Sequence, residues 1–196
     1  MKTKLLFSSF VFAIVVLILS TSCKKDEDIQ SKLSQLEGKG YFPLQVGNYW
    51  KFSDLPKTEI DAIEVINNKE YFRFITDNDT AYYRKTQENK IFYLGKDNND
   101  ILLYDLSAAV GEIWTTAKNS QDSSYVKLSS SNDKVDINEF VFSDCFKFSS
   151  DSYDQSIIDN ESSTWLAPNI GRIQISGGIG IKKLEEVKID GVKIRF

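Results

Sequence analysis

The sequence has no histidine, and only two cysteines, three prolines and one methionine among its 196 residues. Without histidine the chain cannot build a Ser-His-Asp triad, a Cys-His pair, a histidine-ligated zinc site or a histidine pH switch. Cys23 and Cys145 are too few for a four-thiolate metal site, and without a histidine to activate it Cys145 is expected to be a buried structural thiol. We therefore expect neither a cofactor nor a metal, and we expect a protein that is not an enzyme.

Clustered basic charge and long apolar runs are also scarce. Lys and Arg number 24 against 28 Asp and Glu, so the net charge is -4. Nucleic-acid binding depends on clustered Lys and Arg that displace counterions, so we expect no nucleic-acid partner. Beyond the N-terminus, no stretch approaches the apolar length that a membrane-spanning helix requires.

Residues 1–22 have the layout of a secretory signal peptide. Lys2 and Lys4 precede an apolar run from Leu5 to Leu19, which is broken only by two serines. A helix of that length spans about 22 Å, whereas the hydrocarbon core of a bilayer is about 30 Å thick. The run therefore favours a cleaved signal over a transmembrane anchor.

Three small residues, Ser20 to Ser22, lead directly into Cys23. This arrangement resembles the lipobox of bacterial lipoproteins, although Ser20 stands where that family usually has leucine. The resemblance implies that Cys23 becomes the first mature residue and carries the lipid. The alternative is a conventional signal-peptidase site near Ser22, which would leave a free thiol.

Residues 23–40 are predicted to be the lipidated cysteine and a tether, with a short helix indicated by the spacing of Ile29, Leu33 and Leu36. The start of this segment, CKKDED, is similar to that of Bacteroidota lipoproteins. In those proteins a Lys followed by acidic residues acts as a surface-export signal, and the matching residues here are Lys25, Asp26 and Glu27. The resemblance implies lipid anchoring in the outer membrane, at the cell surface.

Residues 41–196 are predicted to form an all-β domain. Short runs rich in Tyr, Phe, Ile and Val alternate with Asn, Asp and Gly, which is typical of antiparallel hairpins. We expect a twisted antiparallel meander sheet, curved as a half-barrel or a sandwich. The predicted strands are 47–54, 60–66, 70–76, 80–86, 90–94, 101–106, 112–117, 124–128, 134–142, 145–148, 164–166, 171–176, 179–187 and 192–196.

Two segments carry a resemblance to small Bacteroidota lipoproteins. Residues 41–50, YFPLQVGNYW, resemble their FPL-x-VGN-x-W opening, and residues 164–171, TWLAPNIG, resemble their later W-x-AP-x-x-G element. The resemblance implies a twisted antiparallel sheet, often a half-barrel, in a domain of unknown function. It implies no activity and no catalytic residues.

Few residues stand out as a binding or catalytic site. Trp50 and Trp165 are candidates to line a ligand-binding face, although large aromatic side chains more often form core, which is the interpretation we favour. Three carboxylate pairs are candidates for acid–base chemistry: Asp61/Glu64, Asp151/Asp154 and Glu185/Glu186. Two Asp/Asn-rich segments, residues 77–79 and 97–100, offer oxygens that suit calcium but are better explained as turns.

The function expected from these features is that of a lipid-anchored, non-catalytic module of the cell envelope. Its β domain would hold a hydrophobic ligand, a glycan or a partner protein, and its lipid on Cys23 would hold it at the membrane. The alternative is an envelope hydrolase that uses carboxylate residues.

Overall fold

The structure, a computed structural model, describes residues 27–77, 79–118, 123–152 and 161–196. Cys23, Lys25 and Asp26 lie outside the described residues, and Glu27 is the first residue within them. The chain divides after Gln35, so residues 27–35 and residues 36–196 are described separately. In the described part of the chain, no helix has the length and apolar character needed to cross a membrane.

The short helix predicted in the tether is present over residues 27–34. Lys32 Nζ lies 2.7 Å from Asp28 Oδ2, one helical turn away, and this spacing lets oppositely charged side chains meet on the helix surface. Exposed pairs of this kind contribute only about 0.3–0.5 kcal/mol.

The segment from residue 36 onward is a β structure, as predicted. Hairpins follow one another along the chain, and every strand pairing in the sheet is antiparallel. The strands are β1 Tyr49–Phe52, β2 Thr58–Ile66, β3 Lys69–Ile75, β4 Thr80–Lys85, β5 Lys90–Leu94, β6 Asp100–Asp105, β7 Ile113–Lys118, β8 Ser123–Ile137, β9 Phe140–Ser152, β10 Ser162–Ala167, β11 Gly171–Gly177, β12 Gly180–Ile189 and β13 Val192–Arg195.

A single sheet curls round into a nearly closed barrel. Its order is β6-β5-β4-β3-β2-β1-β12-β11-β10-β9-β8-β7. The two terminal strands of that order, β6 and β7, contact each other. Trp114 Nε1 on β7 donates a hydrogen bond of 3.1 Å to the carbonyl oxygen of Leu102 on β6. Of the two curved forms expected from the sequence, the structure adopts the barrel-like one, with more complete closure than a half-barrel.

β12 holds the two halves of the barrel together. One edge of β12 pairs with β1, from Leu184 to Lys188. Its other edge pairs first with β11, from Gly180 to Lys183, and then with β13, from Glu186 to Ile189. A strand of ten residues is long enough to serve three partners in this way.

The interior of the barrel is filled by alternate residues of each strand, because successive side chains point to opposite faces of a sheet. Aromatic rings dominate its core. Phe74 stacks on Trp50 at 5.9 Å between ring centroids and meets Tyr83 edge-on at 4.7 Å. Tyr104 on β6 contacts Phe148 on β9 at 4.7 Å, so rings from strands far apart in the sheet meet across the interior.

Residues 41–50 and 164–171, the two segments singled out from the sequence, contact each other. Trp50 Nε1 donates to the carbonyl oxygen of Ile170 at 2.7 Å, and within the first segment Asn48 Nδ2 donates to that of Pro43 at 3.1 Å. Gly171 has φ +85°, and a Cβ there would lie 3.2 Å from Pro43 Cδ and 3.5 Å from Trp50. The close approach of the two segments therefore requires glycine at this position.

One predicted strand is wrong. Residues 134–142 are predicted to be a single strand, but the chain reverses at Asn138 and Glu139 between β8 and β9. Asn138 adopts φ 55°, in the left-handed region that asparagine tolerates. By contrast, the turn predicted at Asn67 and Asn68 is confirmed, with φ 52° and 60°.

Candidate functional site

The larger of two candidate ligand cavities lined by described residues lies near the start of β8 and the end of β9. Its volume is about 360 Å³, and it is partly open to solvent. The lining combines aromatic and aliphatic groups with hydroxyls and one carboxylate. The residues are Tyr93, Leu103, Tyr104, Thr116, Ser124, Val126, Phe148, Ser150, Asp151 and Thr164.

The polar part of this lining is held in place by hydrogen bonds. The hydroxyls of Ser150 and Ser162, which pair across β9 and β10, lie 2.6 Å apart. Asp151 Oδ2 accepts a bond of 3.3 Å from the Tyr125 hydroxyl. Burial raises the pKa of Tyr104, so its phenol stays protonated at neutral pH and can donate a hydrogen bond.

The smaller cavity lies beside the turn between β1 and β2 and has a volume of about 190 Å³. Its lining is mainly apolar, and its single charged residue is Arg172. The other lining residues are Trp50, Phe52, Leu55, Pro56, Thr58, Thr76 and Ile175.

Both cavities open on the same face of the sheet. Thr164 lines the larger cavity and Ile175 the smaller one, and these two residues are direct partners across β10 and β11. Directly paired residues of an antiparallel ladder project to the same face. Phe148, which is buried in the core, pairs with Thr164 as well, so this face is the inner one. We call the space bounded by this inner face, on which both cavities lie, the lumen.

Arg172 lies between aromatic rings at the wall of the lumen. Its guanidinium carbon is 5.6 Å from the centroid of the Tyr83 ring and 5.9 Å from that of Phe42. These distances suit cation–π attraction. Burial acts to lower the pKa of Arg172 and the phenols of Tyr83 and Tyr104 act to raise it, with a net upward direction, so the guanidinium remains charged.

The two tryptophans named from the sequence do not form one site. Trp50 is only 6% exposed and belongs to the core, although its edge also reaches the smaller cavity. Trp165 is half-buried on the outer face, where its Nε1 donates to Asp133 Oδ2 at 2.7 Å and Lys147 Nζ lies 4.9 Å from its ring centroid. The core interpretation is therefore confirmed for Trp50 and wrong for Trp165.

One cation, Arg73, pairs with both members of the first carboxylate pair named from the sequence. Arg73 donates to both oxygens of Asp61 at 2.8 Å and to Glu64 at 2.5 Å. The hydrogen bonds from Arg73 hold the pKa of Asp61 below its ordinary value. A carboxylate kept ionised in this way is a poor general acid.

Of the other two pairs, one is described only in part, and the members of the other take part in different ion pairs. Asp151 lines the lumen, but Asp154 lies outside the described residues. Glu186 on β12 interacts with Tyr49, Lys193 and Arg195, and its chain neighbour Glu185 lies 3.4 Å from Lys51 Nζ instead. The structure thus brings none of the three pairs together in the lumen among its described residues.

The Asp-rich turns hold no group of three or more acidic or thiol side chains suited to a metal within the described residues. Asp100 instead accepts hydrogen bonds from Arg84, Lys69 and Tyr71. The bonds from Arg84 are the main reason why the pKa of Asp100 lies well below its usual range. Thr76 N donates to the Asp79 carbonyl oxygen at 2.9 Å, which closes the turn before β4.

Cys145 is fully buried, as expected for a structural thiol. Burial, with help from the carboxylates of Asp133 and Asp144, raises the pKa of this thiol to about 12. The reactive thiolate is therefore almost absent at neutral pH.

Fold and cavities together define a nearly closed antiparallel barrel with a partly open lumen. No family model, curated protein or solved structure matches this chain. A functional assignment must therefore come from the chemistry of the lumen itself.

Sequence reasoning did not single out the most distinctive residue there, Arg172. The signal that could have found it is a lone cation among the apolar residues of a central strand, directly after Gly171.

Proposed function

We propose that this protein is a lipid-anchored binding module of the cell envelope whose lumen holds a small organic molecule. The observation that carries the proposal is the larger cavity, whose volume of about 360 Å³ falls within the usual range for ligand sites, about 300–1,000 Å³. Its combination of rings and hydroxyls suits a ligand with an apolar body and a few polar groups. The rings bury apolar surface, and the hydroxyls orient the molecule.

A non-catalytic role is better supported than an envelope hydrolase. A hydrolase that uses acidic residues needs two carboxyl groups on either side of one substrate bond. Asp61, Glu64 and Glu186 accept hydrogen bonds from cationic side chains of the same chain instead. The proposal therefore assigns the lumen to binding and gives no residue a catalytic role.

The lumen assignment can be tested with adjacent threonines of β7. Thr116 lines the larger cavity, whereas Thr115 is exposed on the outside. Thr116→Phe fills the cavity and is expected to weaken binding of phenylnaphthylamine, a neutral dye that fluoresces in apolar surroundings, by about tenfold or more. Thr115→Phe adds the same side chain outside the lumen and should bind the dye like the original protein. Equal dye binding by the Thr116→Phe variant would show that the dye does not occupy the lumen.

The membrane part of the proposal depends on Cys23, supported by the signal-like residues before it. Lipid on this cysteine would hold the barrel at the outer membrane, and Lys25, Asp26 and Glu27 would direct it to the cell surface. Cys23→Ser is expected to abolish palmitate labelling and to release the protein from the detergent phase. Detergent partitioning that survives the substitution would contradict the anchor.

Replacing Lys25, Asp26 and Glu27 with alanine should protect the barrel from an external protease, and unchanged cleavage would contradict the export signal.

A further inference from the structure

Arg172 differs from the other arginines of the chain. Arg73, Arg84 and Arg195 each form an ion pair with a carboxylate on the outer surface. Arg172 projects to the inner face, and no carboxylate of the described residues lies within ion-pair distance of it. Its neighbours are the rings of Phe42 and Tyr83 and the phenol of Tyr104.

Arg172 is half-buried, and a guanidinium that is partly removed from water without a counterion is destabilising. Removing a charge from water is unfavourable unless an opposite charge or good hydrogen bonds compensate for it. Cation–π contacts with Phe42 and Tyr83 recover only part of this unfavourable free energy. The planar fork of N–H donors remains able to bind a carboxylate through two parallel hydrogen bonds.

The space beside Arg172 is mainly apolar. Trp50, Phe52 and Ile175 contribute to the wall of the smaller cavity, as do Leu55 and Pro56 of the turn after β1, and two threonines add hydroxyl groups. A single cation in an apolar cavity selects a molecule that has one anionic group and a hydrophobic remainder. A glycan without charge would leave the guanidinium unpaired, and a polyanion would carry charge into the apolar part of the wall.

We propose that the ligand of the lumen is a small amphipathic carboxylate, which Arg172 binds by its anionic group while the apolar part of the molecule lies against Trp50 and Phe52. This inference rests on the proposed function, because it names the chemistry of the molecule that the lumen holds. Arg172 is then the residue that decides specificity for an anion.

The test compares octanoate with octanol by calorimetric titration of the purified full chain. The two molecules share an apolar chain and differ in the charge of the head group. We expect octanoate to bind more tightly than octanol, and Arg172→Gln to weaken octanoate binding by about ten- to a hundredfold while octanol binding stays within about twofold. Arg195→Gln removes the same charge from the outer surface and should leave both affinities unchanged.

Two further variants guard against a loss of folding. Arg172→Met removes the charge and keeps an apolar chain of similar length, so it should reproduce the effect of Arg172→Gln while retaining the melting transition of the original protein. Arg172→Lys keeps the charge without the fork and should retain part of the preference for octanoate.

The outcomes separate this inference from the proposed function. If octanoate and octanol bind equally, or if octanoate binds Arg172→Gln as tightly as the original protein, the anion assignment is overturned and the binding lumen stands. If neither molecule binds and Thr116→Phe leaves dye binding unchanged, both proposals are overturned. Preferential octanoate binding that depends on Arg172 supports both.

Discussion

Trp50 stabilises the barrel through contacts on three sides. Its ring stacks on Phe74 at 5.9 Å, its Nε1 donates to the Ile170 carbonyl oxygen at 2.7 Å, and its edge lies close to Gly171. Trp165 has one hydrogen bond and one neighbouring cation on the outer face. Water can replace much of this contact if the side chain is removed. The same residue type therefore contributes different amounts to the free energy of unfolding at these two positions.

Alanine substitutions should reveal this difference. Trp50→Ala leaves a cavity in the core and an unpaired carbonyl group, so we expect it to lower the free energy of unfolding by about 3–5 kcal/mol. Trp165→Ala should lower it by only about 1–2 kcal/mol, because the side chain is half-buried. Urea unfolding of the two variants provides the measurement. An equal loss in both variants would contradict the placement of Trp165 on the outer face.

At the scale of elements, β12 pairs with three strands, more than any other described strand, and a polar cluster on its outer face connects it to β1 and β13. Glu186 accepts a hydrogen bond of 2.5 Å from the Tyr49 hydroxyl of β1 and lies 2.7 Å from Lys193 Nζ of β13. Arg195 donates to its other carboxylate oxygen. Burial alone would raise the pKa of Glu186, but the bonds from Lys193, Tyr49 and Arg195 lower it to about 2.

Because of this cluster, the free energy of unfolding should fall as the pH becomes acidic. The pKa of Glu186 is about 2 in the folded chain against an ordinary value of 4.5, so the unfolded state takes up its proton first as the pH falls. The stabilisation is complete above about pH 5.5 and is lost progressively towards pH 2. At neutral pH, Glu186→Gln should lower the free energy of unfolding by roughly 1–2 kcal/mol.

Glu185 offers the matched control for this prediction. It is adjacent in sequence, and its pair with Lys51 is exposed at 3.4 Å, so Glu185→Gln should change the stability by less than about 0.5 kcal/mol. Unfolding curves at neutral pH and near pH 3 should show a smaller pH-dependent loss for Glu186→Gln than for the original protein or for Glu185→Gln. Parallel pH dependence in all three proteins would mean that Glu186 does not contribute in this way.

Individual elements were predictable where local chemistry is strong. Asn67 and Asn68 mark the turn between β2 and β3 because asparagine adopts left-handed backbone angles at little cost. The turn at Asn138 escaped prediction because only this residue of the β8–β9 turn has a positive φ and strand-forming residues lie on both sides of it, with no Gly or Pro between them. The local signal that marks the reversal is a change of phase, since Val135 and Ile137 are buried before the turn and Phe142 is buried after it.

At the scale of the whole molecule, closure of the sheet creates the lumen. The edge strands β6 and β7 lie at opposite ends of the strand order, yet Trp114 and Leu102 are hydrogen-bonded between them. Closure depends on the accumulated twist of the strands and on register shifts, such as that between Ile91 and Phe92. These small rotations are not visible in the hydrophobic pattern of any one strand.

The amino-acid sequence by itself determined that the chain after the tether is antiparallel β structure and that its thiol at Cys145 is buried. Both properties follow from local alternation, turn chemistry and composition, which act over a few residues. Only the tertiary structure decided that the sheet closes, that Trp165 lies outside, and that Arg172 faces an apolar lumen without a carboxylate partner among the described residues. The inward or outward direction of a side chain depends on register and bulges summed over many strands, and the sequence of one strand does not contain that sum.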